Sequence, residues 1–186
     1  MIREATKQQF AEALKKLVKM KDFQKIRVME LCKYCGIERQ TFYYHFKDKY
    51  DLAAWIFLKD MERSVRETDN LLCEAQLACL LHYLDRERAF YRKVFLEASQ
   101  NALNQYVYQY NVSNTENMLQ KLYGEQILDD DMRFAIRYHA SAWVSCMIQF
   151  VLGELNFTPE ALAAHIYRNV PPPLSDVMQG ALLFDV

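Results

Sequence analysis

Apolar residues recur along this chain three and four positions apart, far more often than in alternation, and the pattern predicts helices throughout. Phe10, Ala13, Leu14, Leu17 and Val18 form one stripe, a first helix reaching about Lys21. Thr6 and Gln9 resemble a capping box at its start, and Lys7, Lys15, Lys16 and Lys19 lie on its flanks. Val28, Leu31, Cys32 and Cys35 predict a second helix of about two turns. It must stop at Gly36, where a positive φ costs least. A third short helix covers about Glu38 to His45, with Phe42 and Phe46 one turn apart on one face and Ile37 plugging the turn. A fourth runs from about Asp48 into the sixties.

Further helices are expected over Leu71 to Leu84, Glu87 to Leu96, Ala98 to Tyr123, Asp131 to Glu154 and Pro159 to Asn169. Thr158-Pro159 is a start signal for the last, and the triplet Asp129 to Asp131 suits a helix N-terminus by its dipole. Val112 to Thr115 (VSNT) is expected to kink or split the seventh helix, because Ser, Asn and Thr compete for backbone hydrogen bonds. Pro171, Pro172 and Pro173 are expected to end the last helix and leave an apolar tail.

Composition narrows this picture to an all-α fold. With 52% hydrophobic residues the chain is globular, and four Gly plus four Pro supply little of the turn chemistry a many-stranded sheet consumes. The N-terminal stretch carries charges throughout and has no apolar core, so no secretory signal is expected. Tyr138 to Gly153 lacks charges but contains His139, Ser141, Ser145 and Gln149 and falls short of a span, so no membrane segment is expected. Five Cys sit inside periodic apolar segments; reduced thiols and a cytoplasmic location follow.

Residues 28 to 46, VMELCKYCGIERQTFYYHF, have the layout of a helix-turn-helix: two short helices joined through a Gly turn, with small contact positions at Cys32 and Cys35. With Phe42 and Phe46 facing inward, Arg39, Gln40, Tyr43 and Tyr44 fall on an outward stripe with Glu38 at its entry. Arg bonds bidentately to guanine and Gln to adenine, Glu accepts from cytosine N4, and Tyr hydroxyls and Lys49 can hold phosphates. Of the readings open to Glu38, a helix cap is preferred over a base contact. Cys32-x-x-Cys35 also fits a zinc or redox pair, but no second ligand pair follows at zinc spacing, which favours small core residues. No metal or cofactor is expected. His45 is a candidate phosphate donor, whereas His82, His139 and His165 are scattered and read as structural.

These motifs resemble the DNA-binding domain of the TetR/AcrR-type transcriptional regulators. The resemblance covers about residues 7 to 58, in the turn Cys32-Lys33-Tyr34-Cys35-Gly36-Ile37 and the run Thr41-Phe42-Tyr43-Tyr44-His45-Phe46 followed by Lys47, Lys49 and Leu52. It implies phosphate contacts by Arg27, Tyr43, His45 and Lys49, base contacts by Arg39, Gln40 and Tyr44, and a homodimer on a palindromic double-stranded DNA operator. Glu38 and Gln40 depart from the family pattern, which usually has a capping Ser or Thr and a small residue there. Phe90 to Phe95 (FYRKVF) and Phe150 to Ile166 are similar to the subgroup that includes activators of dihydroxyacetone-kinase operons.

The expected organisation is an N-terminal three-helix helix-turn-helix domain over 1–49 and a helical regulatory and dimerisation domain over 50–186. Phe95, Tyr106, Tyr110, Trp143, Met147 and Phe150 are candidates to line an effector cavity, although for any single one of them plain core is the preferred reading. Phe134, Tyr138, Ser141, Ala142, Ser145, Gln149 and Leu152 share another face of the eighth helix, whose small central residues permit close helix approach. The resemblance implies a dimer bundle there, and a monomer core would give the same pattern. Repression by promoter occlusion is the default expectation and activation the alternative. One rival is a helix-turn-helix-derived interaction module without direct operator binding. The other is a small helical enzyme, for which no nucleophile–base pair, metal cluster or phosphate loop is found.

Charge sharpens the division. The net charge of -1 conceals thirteen Lys and Arg against eight Asp and Glu in residues 1–60, a net of +5, and ten against sixteen in residues 61–186, a net of -6. A basic head joined to an acidic body suits contact with nucleic acid through the head alone.

Overall fold

The computed structural model describes residues 2–68, 73–97 and 102–181, which form helices and two 3₁₀ turns with no strand among them. The head comprises α1 (Ile2–Met20), a 3₁₀ turn at Phe23–Lys25, α2 (Val28–Cys35) and α3 (Arg39–His45). The stripe on α1 closes it: the Phe10 ring meets Phe42 edge-on at 5.1 Å and Phe46 at 6.5 Å. Gly36 ends α2 at φ 65°, a left-handed conformation that costs a residue bearing Cβ roughly 1–2 kcal/mol. The Ile37 N–H then donates to the Cys32 carbonyl at 3.0 Å. Cys32 is buried, and Cys35 donates its thiol to the Gln9 carbonyl at 3.5 Å, so both act as small packing residues.

α4 (Lys49–Thr68) leaves the head from Asp48, whose Oδ1 accepts from the N–H groups of Tyr50 at 2.8 Å and Asp51 at 2.9 Å. Its inward residues Leu52, Ile56 and Phe57 belong to a hydrophobic cluster that continues from the head into the body. In the body, α5 (Glu74–Arg86) packs between α4 and α9 (Pro159–Arg168), while α7 (Ala102–Tyr123) pairs with α8 (Asp130–Leu152). α6 (Arg88–Phe95) bridges α1, α7 and α8, and its Lys93 Nζ donates to the carbonyls of Val18 at 2.7 Å and Lys21 at 3.3 Å. Lys93 thereby caps the end of α1 from the body. The expected caps of α8 and α9 form: Asp129 Oδ1 accepts from the Met132 N–H at 2.8 Å, and Thr158 Oγ1 from the Ala161 N–H at 3.2 Å.

Several expectations are corrected. α1 begins at Ile2, so Thr6 and Gln9 lie inside the helix and do not open it. α7 is not split at Val112 to Thr115: it runs unbroken there, with Val112 and Thr115 buried so that tertiary packing outweighs the local competition for backbone hydrogen bonds. The three prolines do not leave a tail: α10 (Leu174–Ala181) follows, with the Pro171 carbonyl accepting from the Ser175 N–H at 3.1 Å and Leu174 buried. Prolines that end one helix also suit the first turn of the next. The predicted starts at Leu71 and Ala98 and the end of the apolar tail lie outside the described residues.

Candidate nucleic-acid interface and body cavity

α3 sorts its side chains by face. Phe42 is buried, while Arg39, Gln40, Tyr43 and Tyr44 are exposed, Tyr44 by 63%. Arg39 Nη2 donates to Tyr43 Oη at 3.1 Å, with its guanidinium 5.2 Å from the centre of that ring, so one i,i+4 pair orders both groups on the outer face. Arg27 is exposed at the N-cap of α2, where its backbone N–H donates to Glu30 Oε2 at 2.8 Å. Glu38 occupies the N-cap of α3, but its side chain makes no capping bond, so the cap reading is corrected. The favoured caps are Ser, Thr, Asp and Asn, whose shorter side chains reach the N2 and N3 amides.

Lys49 also departs from expectation. Its ammonium donates to the carbonyls of Phe23 at 2.8 Å, Gln24 at 2.8 Å and Ile26 at 3.0 Å, which engages all three N–H donors. Burial pushes its pKa down, with nearby Glu97, Asp48 and Glu30 opposing. Here Lys49 ties α4 to the loop before α2, and no donor remains for a phosphate. Lys15 is likewise turned to the body, paired with Glu87 at 3.5 Å.

The packing of α1 against the end of α3 adds a cation that periodicity does not single out. The Arg3 guanidinium lies 5.4 Å from the Tyr44 ring centre, and the Lys7 ammonium 5.8 Å from that of Phe46. The His45 ring is 5.0 Å from Tyr44, and burial, followed by the charges of Lys7 and Arg3, lowers its pKa. Among the described residues, neither Arg3 nor Lys7 is ion-paired to a carboxylate. Only the fold could reveal Arg3, since its proximity to Tyr44 spans the whole head.

In the body a cavity of about 70 Å³ opens between α4, α5, α7, α8, α9 and α10. Of the sequence candidates, Tyr110 and Trp143 line it. Phe95, Met147 and Phe150 do not: they are buried in the packed core, where the Arg88 guanidinium covers the Phe150 ring at 4.5 Å. Trp143, Met147 and Phe150 share one stripe of α8, which passes from cavity into core as α6 closes over it. Tyr106 is half-exposed and stacks on Tyr110 at 6.4 Å outside the cavity. On the other face of α8, Phe134 and Tyr138 are 70% and 58% exposed and stacked at 6.1 Å. Ser141, Ala142 and Ser145 are exposed beside them, and Gln149 and Leu152 are half-buried.

A short exposed helix set beyond a left-handed glycine turn, on a phenylalanine-centred three-helix head carried by a helical body, defines the helix-turn-helix class of transcriptional regulators. Residues 2–55 match the family of bacterial regulatory proteins called tetR, and residues 73–171 match the transcriptional regulator C-terminal region. The chain belongs to the TetR family of transcriptional regulators. It is 30% identical over 145 residues, 74% of each chain, to the HTH-type dhaKLM operon transcriptional activator DhaS of Lactococcus lactis subsp. lactis (strain IL1403). A solved structure titled dihydroxyacetone kinase operon activator DhaS superposes with a TM-score of 0.58 at 26% identity, covering 89% of this chain and 93% of the other. The fatty acid degradation regulator FadR from Bacillus halodurans shares the fold at 18% identity and a TM-score of 0.54, over 90% of this chain and 95% of its own. Among the described residues no helix is long and apolar enough to cross a membrane.

Proposed function

We propose that this regulator binds a palindromic operator as a cytoplasmic homodimer, with residues 1–49 as reading head and residues 50–186 as effector-binding and dimerisation body. The observation that carries the reading is the face of α3: Phe42 is buried against Phe10, leaving Arg39, Gln40, Tyr43 and Tyr44 exposed side by side on a net-basic head. Arg39, Gln40 and Tyr44 read base edges, while Arg27, Tyr43 and His45 hold phosphates. Arg3 adds a phosphate contact beside Tyr44, and Glu38 meets a base edge, where an accepting group suits cytosine. Lys49 serves by fixing the angle at which α4 meets the head.

The exposed face of α8 around Phe134 and Tyr138 pairs with its copy in a second protomer, which sets the two heads about one helical turn of DNA apart, roughly 34–36 Å. An effector in the body cavity acts by favouring one separation of the heads over another. The relative named as a transcriptional activator favours activation over promoter occlusion. Deleting the gene in a strain carrying a promoter fusion reads the sign: expression falls for an activator and rises for a repressor. The binding reading is tested by fluorescence anisotropy on the DNA flanking the gene across a salt series. Sequence-selective binding with steep salt dependence is expected; flat salt dependence, or a Tyr44→Ala variant of unchanged affinity, overturns it.

A further inference from the structure

We propose that the body cavity takes an uncharged small molecule that joins an apolar portion to one hydrogen-bonding group, an amide, carbonyl or hydroxyl. The inference deepens the effector reading and rests on it. Met61, Leu77, Leu80, Trp143 and Ile166 supply apolar wall, and among the described residues that line it none is Asp, Glu, Lys or Arg. A charged guest would surrender its hydration there without a counter-charge, which a buried ion does not tolerate.

The polar part of the wall is specific. Thr115 is only 4% exposed and lines the cavity, on the α7 wall. A threonine hydroxyl both donates and accepts, so this residue gives the wall a neutral hydrogen-bonding group that a guest can use. Across the cavity, the buried Gln76 donates its Nε2 to Ser64 Oγ at 2.9 Å, which orients the amide and leaves its carbonyl oxygen as an acceptor. Asn111 and Asn114 add neutral amides on the α7 side. His139 joins them with its pKa lowered by burial, so it too is a neutral group at pH 7. A donor and an acceptor among neutral walls select a guest by hydrogen bonding and shape, and a volume of about 70 Å³, several times what one water needs, suits a compact one.

The test compares hexanamide, hexanoate and hexylamine, three probes of one size that differ in charge, by thermal denaturation of the full-length protein and by operator affinity. Hexanamide is expected to raise Tm by roughly 3–5 °C at about ten times its dissociation constant and to change operator affinity. Hexanoate and hexylamine are expected to do neither at the same concentration. Thr115→Val, close in shape but lacking the hydroxyl, is expected to weaken hexanamide binding roughly threefold to tenfold. Should hexanoate or hexylamine raise Tm as much as hexanamide, the class is wrong while the effector reading stands. If hexanamide raises Tm without altering operator affinity, the ligand class holds and the effector reading falls. No shift with any probe overturns the cavity as a ligand site.

Discussion

Tyr91 donates its phenolic proton to Asp60 Oδ2 at 2.6 Å, and both side chains are buried between α6 and α4. Burial raises the Asp60 carboxyl above its usual range, and the Tyr91 bond offsets only part of that, with the Arg63 guanidinium at 3.7 Å. The pair joins the helix that leaves the reading head to the helix whose Lys93 caps α1, so it stands where the body grips the head.

Removing the donor with Tyr91→Phe leaves a buried carboxylate short of one partner and should destabilise the protein by about 1–3 kcal/mol, read as a lower urea midpoint at pH 7. The pH dependence has a definite sign. Native Asp60 keeps its proton to a higher pH than an unfolded Asp, near 3.9, so between that value and the raised native one the folded state binds more protons. Its contribution to stability is therefore full at low pH and declines as pH rises through the native pKa. The stability difference between wild type and Asp60→Asn should shift against wild type from about pH 4 to pH 7; a constant difference would remove this account.

Lys49→Met should lower Tm, because three loop carbonyls lose a charged donor that hydrogen bonding makes worth about 1.5–3 kcal/mol or more. Operator affinity should fall with it while the salt slope of binding stays within about 0.3 of wild type. A slope reduced by about 1 with unchanged Tm would return Lys49 to the phosphate role.

Arg3→Ala should reduce the magnitude of the slope of log affinity against log salt by about 1, uniformly across operator sequences, without a change in Tm. Arg39→Ala differs in kind: it should cost about 1–3 kcal/mol and relax preference at one base position, seen by binding to single-substitution operator variants.

Burial, followed by the charges of Lys7 and Arg3, holds His45 below its ordinary pKa. An operator phosphate favours the protonated ring, so affinity should rise as pH falls through about 6.5 toward 5.5, and His45→Gln should flatten that rise. Folding responds oppositely, since the unfolded His protonates first on acidification; its contribution to stability is present above the ordinary value and is lost below it. Anisotropy titrations at constant ionic strength separate the two.

Phe134→Glu places a charge on the exposed aromatic pair of α8 and should give a folded monomer by sedimentation, with unchanged helicity and at least tenfold weaker operator binding, roughly 1.4 kcal/mol or more. A variant that remains dimeric would move the interface off this face.

Much of the head was legible in the residues. The stripe from Phe10 to Val18, the glycine after Cys35 and the Phe42–Phe46 pair act over a few positions each, and their spacing already implies the turn and the exposed face of α3. Lys49 was legible as a cation near the head but not as a tie, because its three carbonyl partners lie 23 to 26 residues earlier. The cavity was legible only in Tyr110 and Trp143. Periodicity distinguishes the inward face of α8 from the outward one, but cannot say which part of the inward face meets a void and which meets Arg88 and α6.

Sequence alone determined an all-helical regulator with a basic reading head, since helical periodicity, a left-handed glycine and the partition of charge are local or additive properties. Tertiary structure decided which cations remain available to DNA, with Lys15 drawn to Glu87, Lys49 to backbone carbonyls and Arg3 left beside Tyr44. It likewise decided that Thr115, buried on α7, lines the body cavity. Both outcomes depend on contacts between residues far apart in the chain, where the identity of a partner is set by how helices pack and not by spacing along any one of them.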